Sequence, residues 1–173
     1  MTTLLFHTDS YLKLFEATVT GQDLENHAVM LDQTAFYPGG GGQPYDLGEL
    51  TGGGSTYNVM RARKISGDVL HLIEPGEPLP PVGEILRGQI KWERRYQLMR
   101  THTAMHILCG VIFRDYGASV TGGDMDPLNG RMDFEFETMQ KELVQEIEAA
   151  INIEVKKARP VHVEILPREQ AFK

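Results

Sequence analysis

The sequence predicts an α+β protein in which a small N-terminal β-barrel precedes helices packed on a small antiparallel sheet. Short β-rich runs separated by glycine and other turn residues fill the first part of the chain. A long helical run follows, from about Trp92 to Tyr116, and Gly117 ends it. A strictly alternating strand and a second helix come next. We therefore expect a barrel domain over residues 1–83 and an α+β domain over residues 84–173.

The composition is that of an ordinary globular protein and excludes several classes. The 173 residues are 41% hydrophobic and 24% charged. No apolar run approaches the ~20 residues of a membrane helix, and the N-terminus lacks the basic and apolar regions of a secretory signal. A single cysteine excludes an internal disulfide. We expect a cytoplasmic protein with no membrane partner.

The net charge of −7 argues against a general nucleic-acid binder, but the charge is uneven. One stretch holds six basic residues against one acid, Glu93; the six are Arg87, Lys91, Arg94, Arg95, Arg100 and Arg114. Such a strip could contact a phosphate backbone. The alternative is an ordinary solvated helix face.

The barrel strands follow from β-forming runs between turn residues. Residues 11–20 and a run starting at His27 predict the first two strands, and residues 57–64 and 69–73 predict a hairpin. Residues 74–83 contain four of the nine prolines and predict the domain boundary. Residues 83–91 predict a last strand, with Ile85 and Ile90 as its apolar positions.

Four consecutive glycines, Gly39 to Gly42, form the most unusual loop of the chain. Backbone without side chains can approach a ligand closely and present N–H groups to it. No Gly-Lys-Ser/Thr follows, so the loop is not a Walker phosphate loop, and it is not a dinucleotide fingerprint. The alternative is a flexible hairpin loop. The second glycine run, residues 52–55, predicts a plain turn.

The long helix places three possible metal ligands on one face. His102 and His106 are four residues apart, and Cys109 follows three residues later. Imidazole and thiolate groups on one stripe suit zinc. The helix lacks the glutamate of zinc peptidases, because Thr103 follows the first histidine. The alternative is an apolar core stripe at helical spacing.

The C-terminal half predicts a hairpin, a helix and a final strand. Residues 122–124 predict a turn, and residues 126–130 a tight hairpin turn. Residues 131–136 alternate as a strand. Thr138 is the predicted N-cap of a helix that ends by Pro160, with the core positions Leu143, Ile147, Ala150 and Ile151. The alternating Val161, Val163 and Ile165 predict a last strand.

Three stretches together resemble one known family. Residues 34–44, TAFYPGGGGQP, are similar to the glycine-rich motif of the alanyl-tRNA synthetase editing domain and of its free-standing relatives, the AlaX proteins. Residues 100–106, RTHTAMH, resemble their helical metal motif, and residues 131–134, RMDF, resemble their Arg-x-Asp-Phe strand. The order and spacing fit, and the resemblance covers nearly the whole chain.

The resemblance implies a trans-editing hydrolase that deacylates alanine tRNA mischarged with serine, and with glycine as a further candidate. A synthetase pocket rejects near-isosteres weakly, so a second site must remove the errors. The resemblance makes Thr34 the candidate contact for the serine hydroxyl. The alternative for Thr34 is ordinary turn chemistry at a strand end. Gln43 is the second candidate catalytic residue.

The resemblance also assigns binding residues. His102 and His106 would be half of a zinc site, with the other ligands expected beyond residue 173, so we expect a chain truncated at its C-terminus. Cys109 is an alternative third ligand. Gly39, Gly40, Gly41 and Gly42 would flank the aminoacyl-adenosine end. Basic side chains would meet the substrate and its phosphates, namely Arg94, Arg95, Arg100 and Arg131.

Two other functions stay open at this point. One is a non-catalytic tRNA-binding fragment or remnant of an alanyl-tRNA synthetase-like protein, since half the metal site lies outside the chain. The other is a different zinc hydrolase acting on simple esters.

Overall fold

A computed structural model describes residues 1–136 and 141–171 of the protein. In the described residues, the part up to Ile90 contains eight strands and a short 3₁₀ helix, and the part from Trp92 onward contains three helices and two strands. The barrel part comprises β1 Thr3–Leu4, the 3₁₀ helix Leu5–His7, β2 Leu14–Asp23, β3 Ala28–Leu31, β4 Gln33–Thr34, β5 Gly48–Gly52, β6 Ser55–Ile65, β7 Asp68–Ile73 and β8 Ile85–Ile90. The second part comprises α1 Trp92–Tyr116, β9 Val120–Asp126, β10 Asn129–Phe134, α2 Lys141–Lys156 and α3 Arg168–Ala171.

Six antiparallel strands close the barrel in the order β2-β3-β7-β6-β5-β8. The short strands β1 and β4 pair in parallel beside it. Closure removes the open edges that a flat sheet would expose. The predicted α+β class with an N-terminal barrel is confirmed. The division at residue 83 stays a prediction, and the barrel strand β8 lies on its C-terminal side.

The core-facing side of the last barrel strand, β8, differs from the one that the sequence pattern predicted. Leu86 and Ile90 face the core, whereas Ile85 is 67% exposed, so Ile85 was the wrong choice. Gly88 occupies the inward position between them. A Cβ there would lie 2.3 Å from the Phe15 ring, so the phenyl group of β2 fills the space that glycine leaves. Every second residue of β8 therefore faces the core, but the middle one, Gly88, has no side chain.

Helix α1 has the predicted limits. It runs from Trp92 to Tyr116, and Gly117 ends it in the left-handed conformation at φ 67°. Its inner side packs against α2 and the β9–β10 hairpin around Ile112 and Ile147. Of the other predicted core positions of α2, Leu143 and Ile151 pack against this cluster and Ala150 is half-buried. No helix in the described part of the chain is both long and apolar enough to cross a membrane.

Two predictions for the C-terminal half are wrong. Residues 122–124 continue β9 instead of turning, because they pair with residues 131–133 of β10 in antiparallel register. The turn lies at residues 127–128, as the hairpin signal predicted. Val161, Val163 and Ile165 form no strand among residues 141–171, and each is at least 70% exposed. Alternation alone does not make a strand without a partner. The predicted N-cap Thr138 lies outside the described residues.

Candidate active site

A cavity of about 360 Å³ lies where the glycine loop, helix α1 and the β9–β10 hairpin meet. The glycine loop contributes Gly41, Gly42 and Gln43, and α1 contributes His102, His106 and Cys109. The hairpin contributes Thr121 and Gly123, among others. The structure therefore brings together two motifs that lie about 60 residues apart in the sequence.

The two histidines face each other from successive turns of α1. Their Nε2 atoms are 3.0 Å apart, and their ring centroids are 4.6 Å apart. Partial burial, and then the neighbouring His106, lower the pKa of His102 and favour its neutral form. Neutral imidazole is the form that binds metal. Two nitrogens about 2.0 Å from a tetrahedral zinc lie roughly 3.3 Å apart, so the pair fits half of such a site.

Cys109 lines the same cavity but packs against a hydrophobic neighbour. Its Sγ lies 3.8 Å from Sδ of Met132 on β10, and burial raises the pKa of the thiol. Among residues 1–136 and 141–171, no group of three or more His, Cys, Asp or Glu side chains is arranged to hold a metal ion. Among the described residues, two histidines therefore face each other at the cavity, and Cys109 is not grouped with them.

The glycine loop needs glycine for conformational reasons. Gly39 to Gly42 all have positive φ, between 61° and 125°, which other residues rarely adopt. The backbone of Gly40 and Gln43 pairs across the loop, with N···O distances of 3.0 and 3.1 Å. The Tyr37 hydroxyl donates to the Gly40 carbonyl at 3.2 Å. The loop therefore forms a hairpin turn with hydrogen bonds of its own.

A second cavity of about 430 Å³ adjoins the first. The two share Gln43, His102 and Met125 as lining residues. Phe6 and Tyr37 contribute aromatic rings to the second cavity, and these rings meet edge to face with centroids 5.4 Å apart. The paired cavities could hold a ligand with two parts, one polar beside the histidines and one flat beside the aromatic rings.

Asp46 and Arg95 fix the position of the loop relative to α1. Asp46 accepts from the Tyr37 backbone N–H at 2.6 Å and so closes the base of the loop. The Arg95 guanidinium pairs with Asp46 and also donates to the carbonyls of Ser10 and Ala35. Both side chains are buried. The prediction that Arg95 meets phosphates is therefore wrong, because its donors are used inside the protein.

The structure places Thr34 away from both cavities. Its side chain is fully buried, and its Oγ1 lies 2.8 Å from Nε2 of His71. His71 Nδ1 faces the Val29 carbonyl, which only accepts, so Nε2 must accept the threonine hydroxyl proton. The same oxygen accepts from the Phe36 N–H at 3.1 Å. Both partners of Thr34 are thus internal to the barrel.

The other predicted basic residues lie on different surfaces. Arg100 lines a separate groove with Leu128 and Ile151, on the side of α1 away from His102. Arg131 is exposed and makes a 3.4 Å ion pair with Asp133. Arg114 pairs with Asp115 and with Glu154 of α2. The structure therefore does not gather the basic strip around the histidine cavity.

Comparison with known proteins agrees with these motifs. Residues 8–94 match the family described as tRNA synthetases class II (A). The chain is 38% identical over 176 residues to the alanyl-tRNA editing protein AlaX-M of Methanosarcina barkeri, covering 99% of this chain and 72% of that protein. It is 39% identical over 174 residues to AlaX-M of Saccharolobus solfataricus, with the same coverage.

The chain belongs to the AlaX family of alanyl-tRNA editing proteins. It is also similar to part of a larger enzyme, the alanine–tRNA ligase of Pyrobaculum aerophilum. The two are 41% identical over 170 residues, which is 96% of this chain and 19% of the ligase. The resemblance read from the three motifs is thus confirmed at the level of the family.

Within this AlaX-family fold, sequence reasoning missed several residues that shape the site. Phe6 belongs to no motif, and Tyr37 lies inside the glycine-rich motif but received no role there, since aromatic residues are ordinary core candidates. Thr121 lies beside a glycine pair that predicted only a turn. Asp46 lies two residues beyond the motif at residues 34–44 and carried no signal of its own.

Proposed function

We propose that this chain is an editing hydrolase that deacylates alanine tRNA carrying the wrong amino acid, chiefly serine and also glycine. One observation carries the proposal: His102, His106 and the glycine loop with Gln43 line a single cavity in an AlaX-family fold. The relatives bear the name alanyl-tRNA editing protein. The aminoacyl ester is the bond to be cleaved, and water is the second reactant.

The adjoining cavities suggest how the substrate lies. The amino acid would occupy the histidine cavity, and the terminal adenosine would occupy the second cavity, beside Phe6 and Tyr37. The ester would then lie at the shared wall, where Gln43 and His102 stand. The amide of Gln43 can donate to the ester carbonyl or to a ribose hydroxyl. Gly41 and Gly42 leave room for the substrate to approach the loop backbone.

His102 and His106 would hold a zinc ion through their Nε2 atoms, as their 3.0 Å separation allows. When bound, zinc supplies a Lewis acid that polarises the carbonyl and lowers the pKa of a bound water. The partial burial of His102 keeps its imidazole neutral and ready to bind.

Selection of serine over alanine requires a polar partner for the serine hydroxyl. Alanine would leave such a partner without its hydrogen bond, which disfavours alanine. Thr121, which is exposed, and Gln43, which is half-buried, line the histidine cavity and can provide this partner once the bound substrate covers them. Thr34 was the prediction from the family resemblance, but its hydroxyl is already bonded to His71. We therefore favour Thr121 for this contact.

The test is release of the amino acid from alanine tRNA charged with serine, glycine or alanine. We expect serine to be released at least tenfold faster than alanine, and we expect His102→Ala to abolish release. Tight tRNA binding with no release of any amino acid would support the non-catalytic alternative. Equal hydrolysis of simple esters with no tRNA preference would support a different zinc hydrolase. Cytoplasmic location stays a prediction from the sequence.

A further inference from the structure

Four side chains form a surface cluster where the chain enters β2 and α1, with a half-buried tryptophan at its centre. We call this cluster the aromatic platform: Tyr11, Lys13, Trp92 and Tyr96. The Trp92 and Tyr96 rings are stacked, with centroids 5.7 Å apart and planes 24° apart. The Tyr11 ring lies 5.6 Å from Trp92. The Lys13 ammonium lies over the Trp92 ring, 4.5 Å from its centroid.

The platform exposes flat aromatic surface together with positive charge. Tyr11 is 59% exposed and Tyr96 is 42% exposed. The two nearest carboxylates in the sequence have other partners: Asp9 accepts from the Tyr11 backbone N–H, and Glu93 accepts from the Gln97 amide. Exposed rings beside a lysine are the features that bind unpaired nucleotides, since each base has a face that can stack.

The platform is continuous with the candidate active site along one side of α1. Trp92, Tyr96, Met99 and Thr103 recur at helical spacing, so their side chains follow one stripe of the helix. Met99 and Thr103 line the second cavity, which His102 shares with the histidine cavity. Tyr96 is six residues before His102, about 9 Å along the helix axis. A strand whose end lies in the cavities can therefore reach the platform.

We propose that the aromatic platform stacks the unpaired bases that precede the terminal adenosine of the tRNA substrate. This inference rests on the proposed function for the identity of the nucleic acid. Single-stranded nucleic acid fits the platform better than duplex, because only unpaired bases offer free faces to aromatic rings. The platform would add affinity and leave the chemical step to the cavities. The Lys13 ammonium would add affinity by pairing with a phosphate or by lying over the face of a base.

The chain provides its own probe, because Trp92 is its only tryptophan. The experiment titrates the full chain with a short single-stranded RNA ending in CCA and follows Trp92 fluorescence. We expect saturable quenching. Tyr96→Leu should weaken binding about 10-fold or more, the effect of losing one stacked base, whereas Tyr96→Phe should bind nearly as the parent does. Phe113→Ala is the matched control, since Phe113 is a 66% exposed aromatic residue farther along α1.

The outcomes separate this inference from the proposed function. Quenching that Tyr96→Leu and Tyr11→Leu leave unchanged, or absence of quenching in the parent, would overturn the platform, even if serine release persisted. RNA binding that depends on Tyr96 without any serine release would uphold the platform and reject the editing function. In the release assay, Tyr96→Leu should raise KM and leave kcat near the parent value. If the parent protein were a dimer that Tyr96→Leu converts to monomers without changing RNA binding, the platform would be a subunit contact and the proposal would be overturned.

Discussion

The carboxylate of Asp46 and the guanidinium of Arg95 form a buried ion pair that joins the glycine loop to helix α1. Asp46 also binds the Tyr37 N–H at the base of the loop, and Arg95 lies two helical turns before His102. The pair thus links the loop that lines the cavity to the helix that carries the histidines. Two charges removed from water are stable only while each satisfies the other.

Breaking this pair from one side should destabilise the protein strongly. We expect Asp46→Asn and Arg95→Met each to lower the free energy of unfolding by about 3–5 kcal/mol, because each leaves buried polar groups unpaired. The double variant Asp46→Asn/Arg95→Met should lose less than the sum of the single effects. Urea unfolding followed by circular dichroism measures all three.

The control for this comparison is Asp133→Asn, which breaks the exposed pair with Arg131. Its cost should stay below about 1 kcal/mol because water screens exposed charges. Single-variant costs at Asp46 and Arg95 as small as this control would show that the pair does not hold the loop on α1.

Zinc binding should depend on the histidine pair and not on the cysteine. Protein purified without chelator should contain zinc, as measured by elemental analysis. His102→Ala and His106→Ala should each lose it, since each removes one of two ligands whose Nε2 atoms face each other. Cys109→Ala should retain it, because the Cys109 thiol packs against Met132. Zinc absent from the parent, or lost with Cys109, would contradict this assignment.

Two threonines should have separable roles. Thr34→Val should lower the free energy of unfolding by about 1–3 kcal/mol, because it removes the donor that satisfies buried His71. It should change the ratio of serine to alanine release little. Thr121→Val should leave stability nearly unchanged and reduce that ratio. The reverse result, with specificity lost only in Thr34→Val, would return the hydroxyl contact to Thr34 as the family resemblance predicted.

The stability of the barrel should fall in mild acid because of His71. Burial lowers the pKa of His71 to about 4, against 6.5 in the unfolded chain. Between these values the unfolded state binds the extra proton, so stability rises with pH there and is lost as pH falls from 6.5 towards 4. The full contribution is about 3 kcal/mol.

The measurement for His71 is urea unfolding at pH 7 and at pH 5 in the parent and in His71→Gln. Glutamine can accept from Thr34 but does not titrate. The loss of stability on acidification should therefore be smaller in the variant. An equal loss in both proteins would show that other groups, and not His71, govern the acid response.

Local patterns in the sequence determined most of the secondary structure. The limits of α1 followed from helical periodicity and from Gly117, and the hairpin turn followed from its Pro-Leu-Asn-Gly signal. The glycine run could not be helix, and it forms a loop. These features depend on residues a few positions apart, where backbone preferences decide the outcome. The predicted strand at residues 161–165 was wrong, because a strand needs a pairing partner and an alternating sequence does not supply one.

The tertiary structure alone decided which residues meet at the site. Asp46 and Arg95 are 49 residues apart, and Thr34 and His71 are 37 apart, so no local pattern linked either pair. The sequence marked Arg95 as a surface cation and Thr34 as a substrate contact, and in the structure both side chains are buried and bonded to internal partners. The histidine spacing was visible in the sequence, because one helical turn sets it. The loop that faces those histidines was placed by barrel closure and a buried ion pair, which depend on the whole fold.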